Sequence, residues 1–243
     1  MTNLFLNYFE KTIYKNSLRI IALSPGMKEG ILKKCKTKEI TIIPNSSDID
    51  FFNGQCDPVE FSDYILYPGT IGEINGVIEL NKIASELKRV NSKIKILVIG
   101  DGKDKEKCIN NAKKLNVLDN KIFYLDSIPK EKIRNYIKNS IGIFSLFIDL
   151  PEMRNNSANK FFDALAARKP VFINYLGWHK NIVENNKNGL CFYGLDPKET
   201  VKKLHDFINS NRYNDACEKS YNLAKNKFNR DNLYKEFKDV VLK

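Results

Sequence analysis

The chain has 243 residues, 42% of them hydrophobic and 28% charged, and a formal net charge of +11. That balance suits a globular protein with a real core, and no run approaches the roughly 20 apolar residues of a membrane span. Five scattered cysteines without a Cys-x-x-Cys pair, and only two histidines, argue against a disulfide framework and against a metal centre.

In chain order, apolar periodicity predicts a helix over 4–14, a strand over 18–23, a helix over 25–34 and a strand over 40–44. This is one βαβ unit, too small to bury a sheet of its own, so it must pack on something else. A short buried strand from Tyr64 then ends in a turn at Pro68 and Gly69. The helix after Gly76 places Leu80, Ile83, Ala84 and Leu87 on one face. A strand over 94–100, a lysine-rich helix over 103–116, a strand over 121–125 and a helix over 131–138 follow. The run 141–148 is apolar almost throughout, as a central parallel strand should be. A helix over 158–168, a strand over 171–174 and helices near 177–186, 197–209 and onward complete the chain. Strand and helix alternate at least four times. The expected fold is therefore α/β, a Rossmann-like parallel sheet with helices on both faces, whose ligands bind at the carboxyl ends of the strands.

Four loops lie at such ends. The first holds Gly69, Thr70, Gly72, Asn75 and Gly76 between a strand and a helix, where glycines let backbone approach a phosphate; a plain tight turn is the alternative. The second, Gly100-Asp101-Gly102, is as readily a turn as a site. The third leads into the helix at 158–168. Ser157 is the expected N-cap, and Asn159, Lys160 and Asp163 fall near one face while Phe161, Phe162, Leu165 and Ala166 point into the core. A helix N-terminus with a lysine in its first turn suits a diphosphate, and a carboxylate one turn later suits ribose hydroxyls. An i, i+3 salt bridge on a surface helix is the competing reading. The fourth loop carries Gly177, the only tryptophan, Trp178, and His179. Trp178 either shapes a sugar pocket or anchors the core, and His179 as a catalytic base is the weaker of its readings. No Ser/His/Asp or Cys/His set, dinucleotide fingerprint or Walker loop is present.

Together, Leu23-Ser-Pro-Gly-Met-Lys, Ile42-Ile-Pro-Asn-Ser-Ser-Asp-Ile-Asp, Tyr67-Pro-Gly-Thr-Ile-Gly-Glu-Ile-Asn-Gly, Val98-Ile-Gly-Asp-Gly and Asn159-Lys-Phe-Phe-Asp-Ala-Leu-Ala-Ala-Arg-Lys-Pro-Val resemble the retaining group 1 (family 4) glycosyltransferases of the GT-B fold. The last string, with Gly177 and Trp178 after it, is most similar to the branch that transfers amino-deoxy sugars in O-antigen and capsule assembly. The resemblance runs from about residue 8 to 235. It implies a nucleotide sugar, UDP-linked by expectation, held by a C-terminal domain while a separate domain binds a glycan or lipid-linked acceptor. On this reading residues 1–50 are the last βαβ of the acceptor domain with its linker, 51–228 the donor-binding domain and 229–243 a C-terminal helix. Asp163 stands where the family's ribose-binding glutamate lies. Gly69, Gly72 and Gly76 form the diphosphate loop, with Thr70, Asn75, Gly100 and Gly102 beside it. Ser127, Ile128 and Pro129 flank the base, and Ser157, Ala158, Asn159 and Lys160 open the donor helix. No catalytic residue is assigned, and no cofactor or metal is expected.

Three departures qualify the match. Thr70 and Asn75 stand where many members have Arg and Lys. The first glutamate of the family's Glu-x7-Glu pattern falls at Asn155, with Glu152 close by, and Lys160 is the candidate for the missing phosphate cation. The chain is also short for a two-domain enzyme, which leaves Leu4, Phe5, Tyr8 and Phe9 without their normal cover. The alternative to an enzyme is a non-catalytic nucleotide-sugar-binding subunit, or a truncated fragment that needs an acceptor-domain polypeptide. The opening residues lack a signal-peptide layout, so the expected address is the cytoplasm. The lysine excess reads either as solvated helix faces or as attraction to anionic lipid at the inner membrane face and to phosphorylated substrates. Nucleic acid is not an expected partner, because no zinc finger, RNP-like strand or Arg-rich arm is present.

Overall fold

The computed structural model describes residues 2–36 and 39–242, with side chains from residue 5 onward. The first elements are α1 (Thr2–Asn16), β1 (Ile20–Ala22), α2 (Pro25–Lys34) and β2 (Ile40–Ile42). The two strands pair in parallel, Ile20 opposite Ile40, as a sheet of their own. Ser24 starts α2 in the manner its sequence implies: its hydroxyl accepts from Met27 N at 3.1 Å, and Pro25 occupies the first helical position. The core of this unit is small, made of Ile20, Ala22, Ile31 and Ile40 with Tyr14, Met27 and Leu32 against it. Phe5, Tyr8 and Phe9 stay exposed on α1, and the side chain of Leu4 lies outside the described residues.

After a short helix α3 (Ile49–Asn53) comes the main body. Its strands are β3 (Tyr64–Pro68), β4 (Lys95–Ile99), β5 (Ile122–Leu125), β6 (Gly142–Ser145), β7 (Val171–Ile173) and β8 (Gly189–Cys191). All pair in parallel, in the order β5-β4-β3-β6-β7-β8. Tyr64, Ile65, Leu66 and Tyr67 of β3 are completely buried, because helices cover both faces of a central strand. The helices are α4 (Glu79–Arg89), α5 (Lys105–Lys114), α6 (Lys130–Asn139), α7 (Asn159–Ala166), α8 (Trp178–Asn186), α9 (Pro197–Ile208), α10 (Arg212–Asn226) and α11 (Arg230–Leu242). Leu80, Ile83, Ala84 and Leu87 are the buried face of α4, as their spacing predicts. Among the described residues no helix is long and apolar enough to cross a membrane.

Three elements differ from the sequence-based expectation. The run 141–148 is paired only as far as Ser145, since beyond it the Asn174 side chain takes the place of a ladder neighbour. Its Oδ1 accepts from Phe147 N at 3.0 Å and its Nδ2 donates to Phe147 O at 3.0 Å. β8 and α3, of three and five residues, are shorter than the roughly four to eight residues of a recognisable strand and the roughly 10–12 of a recognisable helix, and carry no periodic signal.

The chain ends return to each other. Ser47 N donates to Phe228 O at 2.7 Å, Arg230 N donates to Ser47 O at 3.1 Å, Arg230 pairs with Asp48, and the Arg19 guanidinium donates to Val240 O near the end of α11. The small unit thus rests on the main body through the junction at 44–48 and through α11.

Candidate functional site

The connections from β3 run outward through β4 and β5, while β6 begins on the other side of β3 and runs outward through β7 and β8. Between β3 and β6 the loops diverge, which is where open parallel sheets leave a crevice at their carboxyl ends. A crevice of about 870 Å³ opens there. Gly69 and Thr70 enter it from β3, Gly100 and Asp101 from β4, Ser127 and Ile128 from β5, and Phe147 from β6. The first turn of α7 closes one side, and Asn45, from the junction with the small unit, closes the rim.

Backbone approach shapes the floor. Gly69 has φ +143°, a conformation side chains rarely adopt, and a Cβ there would come within 3.2 Å of the Lys160 chain. Gly100 lies against the Gly69 carbonyl and Gly102 against the Ile71 carbonyl, each too close for any side chain. The pair of loops is locked by Gly69 N to Ile99 O at 2.9 Å and Ile71 N to Asp101 O at 2.8 Å.

Apolar periodicity sets the orientation of α7. Phe161, Phe162, Ala164, Leu165 and Ala166 are buried in the core, which turns Lys160 and Asp163 toward the crevice. The surface salt-bridge reading fails because this helix is packed rather than exposed, and Lys160 and Asp163 do not pair. Ser157 is not the N-cap. Ala158 holds that position without a side-chain bond, because the Ser157 hydroxyl accepts from Asn45 N at 3.0 Å instead.

Lys160 is a half-buried cation with no carboxylate to pair it among the described residues. Its Nζ donates to Tyr67 Oη at 3.1 Å and lies 4.5 Å from the Tyr67 ring centre and 5.6 Å from that of Phe147. Burial alone lowers its pKa to about 8. Burial likewise raises Asp163 to about 6, with the nearby Lys130 working in the opposite direction and Asp48 adding to the rise. Near neutral pH the crevice therefore holds an ammonium and a carboxylate, both poorly solvated, at different points along it. An anionic group beside Lys160 and hydroxyl donors beside Asp163 would restore what water no longer supplies.

Of the residues expected from sequence, Gly69, Thr70, Asn75, Gly100, Ile128, Ser157, Ala158, Asn159, Lys160 and Asp163 line the crevice. Gly72, Gly102 and Pro129 do not. Gly72 faces a neighbouring depression with Gly76, Gly102 packs beneath Ile71, and Pro129 sits at the N-cap position of α6. Phe147, Ile74 and Asn45 line the crevice without having been singled out as site residues. The overlong apolar run ending at 148 was the available sign of Phe147, since its last residues exceed what a strand end needs. Asn155 turns away and packs its side chain over Gly26 of α2.

His179 is no base. It is fully buried, stacked on Phe161 with ring centres 4.0 Å apart, and burial depresses its pKa to about 3. Trp178 is an anchor: its indole donates to Asn156 O at 2.6 Å and it packs among Phe162 and Phe228. A second depression of about 630 Å³ lies beyond Phe147. Its charges are already matched, Asp149 with Tyr193 and Arg154, Glu79 with Lys82, so it offers no free charge to a ligand. Among the described residues no group of three His, Cys, Asp or Glu could hold a metal ion.

Residues 53–229 match the sequence model of a family described as glycosyl transferases group 1. Among solved structures the chain is similar to WaaG, a glycosyltransferase involved in lipopolysaccharide biosynthesis, with 13% identity and a TM-score of 0.72 over 91% of this chain and 62% of that one. It is similar to HepE of Anabaena in complex with UDP-glucose, with 12% identity and a TM-score of 0.77 over 98% of this chain and 68% of that one. A mutant of S. aureus TarM in complex with Fondaparinux, alpha-GlcNAc-glycerol and UDP gives 14% identity and a TM-score of 0.73 over 96% of this chain and 45% of that one. Identities this low speak for a shared GT-B-type fold alone, and the chain spans less than two thirds of the length of WaaG and TarM. No curated protein sequence matches this one.

Proposed function

The chain belongs to the group 1 glycosyl transferases, and from that premise we propose that its crevice binds the nucleoside diphosphate of a nucleotide sugar, UDP-linked, as the donor-binding part of a retaining glycosyltransferase. The observation that carries this is the half-buried Lys160, without a carboxylate partner, lying at the uncapped start of α7, with Asp163 one turn further along the same wall. Lys160 and the first amides of α7 take the diphosphate, Asp163 takes the ribose hydroxyls, and Ser127 and Ile128 flank the base. Charge on the departing diphosphate is then stabilised by groups already in place, the kind of preorganisation that accounts for most of the barrier lowering in such reactions. The sugar goes to a glycan or lipid-linked acceptor in cell-surface polysaccharide assembly, of the O-antigen or capsule kind. The small N-terminal unit belongs to the acceptor side, the protein works in the cytoplasm or at the inner membrane face, and no metal takes part.

A second reading has its own support. Thr70 and Asn75 line the crevice where many relatives carry cations, and Asn155 is spent on Gly26 rather than on the site. Both favour a nucleotide-sugar-binding subunit without turnover, dependent on another polypeptide. Calorimetric titration with UDP, against GDP and ADP, tests the donor reading, with Asp163→Ala as control. UDP binding that the variant loses supports it, and a folded chain that binds no nucleotide refutes it. Release of UDP from a bound UDP-sugar separates the enzyme from the silent subunit.

A further inference from the structure

We infer that Asn45 is a positioning residue for the diphosphate end of the crevice, acting by holding Ser157 off the N-terminus of α7. The inference rests on the donor-binding reading above.

Asn45 lies in the junction between β2 and α3, outside every loop that follows a strand of the main sheet. It engages Ser157 twice. Its backbone N donates to Ser157 Oγ at 3.0 Å, and its Nδ2 donates to the Ser157 carbonyl at 2.5 Å. A serine at the start of a helix ordinarily turns its hydroxyl toward amides two or three residues ahead. Here that hydroxyl faces the other way, and Ala158, at the N-cap position, has no oxygen to offer in its side chain. Phe161 N bonds to Ala158 O at 3.0 Å, whereas the amides of Asn159 and Lys160 find no acceptor among the described residues. These two amides and the Lys160 ammonium belong to the same crevice wall. An uncapped first turn beside a half-buried cation without a carboxylate partner is an anion seat, and Asn45 keeps it vacant of protein oxygen.

The junction itself is held independently. Ser47 Oγ donates to Phe162 O at 2.7 Å and Ser47 N to Phe228 O at 2.7 Å, so truncating Asn45 leaves the strap attached to α7 and to the start of α11. Truncation removes the Nδ2 bond that pins the Ser157 carbonyl and leaves the Asn45 N contact to Ser157 Oγ. Ser157 is then held at one point instead of two, and its hydroxyl is freer to leave that amide and cap α7, where it competes with phosphate oxygens for the Lys160 amide. The base end, at Ser127 and Ile128, is untouched.

The test uses the full chain and separates phosphate from base. Asn45→Ala is expected to weaken UDP binding about tenfold by calorimetry, the scale of one hydrogen bond to a charged group, and to leave uridine binding by ligand-observed NMR unchanged. Adding Ser157→Ala to Asn45→Ala removes the competing hydroxyl and is expected to restore part of the UDP affinity. Asn45→Ser serves in the same scheme if the alanine variant does not fold. The inference is overturned if the variants bind UDP like the parent, if UDP and uridine weaken equally, or if the double variant is weaker than the single. A parent chain that binds neither UDP nor uridine would instead remove the donor-binding reading itself, and the role of Asn45 with it.

Discussion

Lys160→Met replaces a half-buried, poorly solvated ammonium by an apolar chain of similar length and should move stability and binding in opposite directions. Burial takes the lysine from 10.5 to about 8. That shift corresponds to about 3 kcal/mol against the charged form at neutral pH. The Tyr67 ring 4.5 Å away returns on the order of 1 kcal/mol of this. The ligand-free variant should therefore be about 1–3 kcal/mol more stable than the parent at pH 7, read from urea unfolding. Because the folded pKa lies below the unfolded one, the strain of the cation is full below pH 8. It fades as pH rises from about 8 toward 10.5, so the gap between variant and parent should close over that window. UDP reverses the ranking. Losing a charge-assisted contact to phosphate is worth about 1.5–3 kcal/mol, or roughly 10- to 150-fold in Kd by calorimetry. Binding to the parent near pH 8.5 should also take up protons, since phosphate draws the lysine back to its charged form, and the measured enthalpy should depend on the buffer. A variant that is less stable without ligand, yet binds UDP with unchanged affinity, would refute this account of Lys160.

Other consequences can be checked alongside. The parent should lose stability as pH rises from about 4 to 6, because the Asp163 carboxyl is favoured protonated in the fold; Asp163→Asn should flatten that slope in pH-dependent urea unfolding and weaken UDP binding about tenfold. His179→Ala should cost about 2–4 kcal/mol in the same unfolding assay, by leaving a cavity beside Phe161, while the UDP Kd stays where it was. A UDP affinity that collapses with His179, at intact stability, would reinstate it as a site residue. Gly100→Ala drives a methyl group into the Gly69 carbonyl and should lower the melting temperature by several degrees on the scale of a strained core substitution, with UDP binding reduced as the floor shifts.

The parts of this molecule that could be read in advance are those in which a local pattern carries the information. The repeat of Phe161, Phe162, Leu165 and Ala166 fixes which way α7 faces, and the same repeat delivers Lys160 and Asp163 to the crevice. Alternation of buried strand and amphipathic helix likewise yields the parallel sheet. What escapes is decided at a distance. Ser157 has every local mark of a cap, and the residue that diverts it stands 112 positions earlier. Gly102 looks like a ligand glycine, but the carbonyl of Ile71, on another loop, is what requires it. His179 shows only by its burial that it packs rather than reacts.

The pairing of Ser47 with Asn229 and of Asp48 with Arg230 bears on how the chain is made as well as on how it is held. Asp48 and Arg230 are 182 residues apart, and a ribosome adding about 5–20 residues per second covers that interval in roughly 10–40 s. For most of that time the first βαβ unit has cleared the ribosome with a four-residue buried core and an exposed aromatic helix face. Its two strands are too few to stand alone, so its completion waits for the last helix to be synthesised. During synthesis, then, the βαβ unit is secured only after residue 240 has been added, and the aromatic face of α1 is the surface a nascent-chain chaperone would find unguarded.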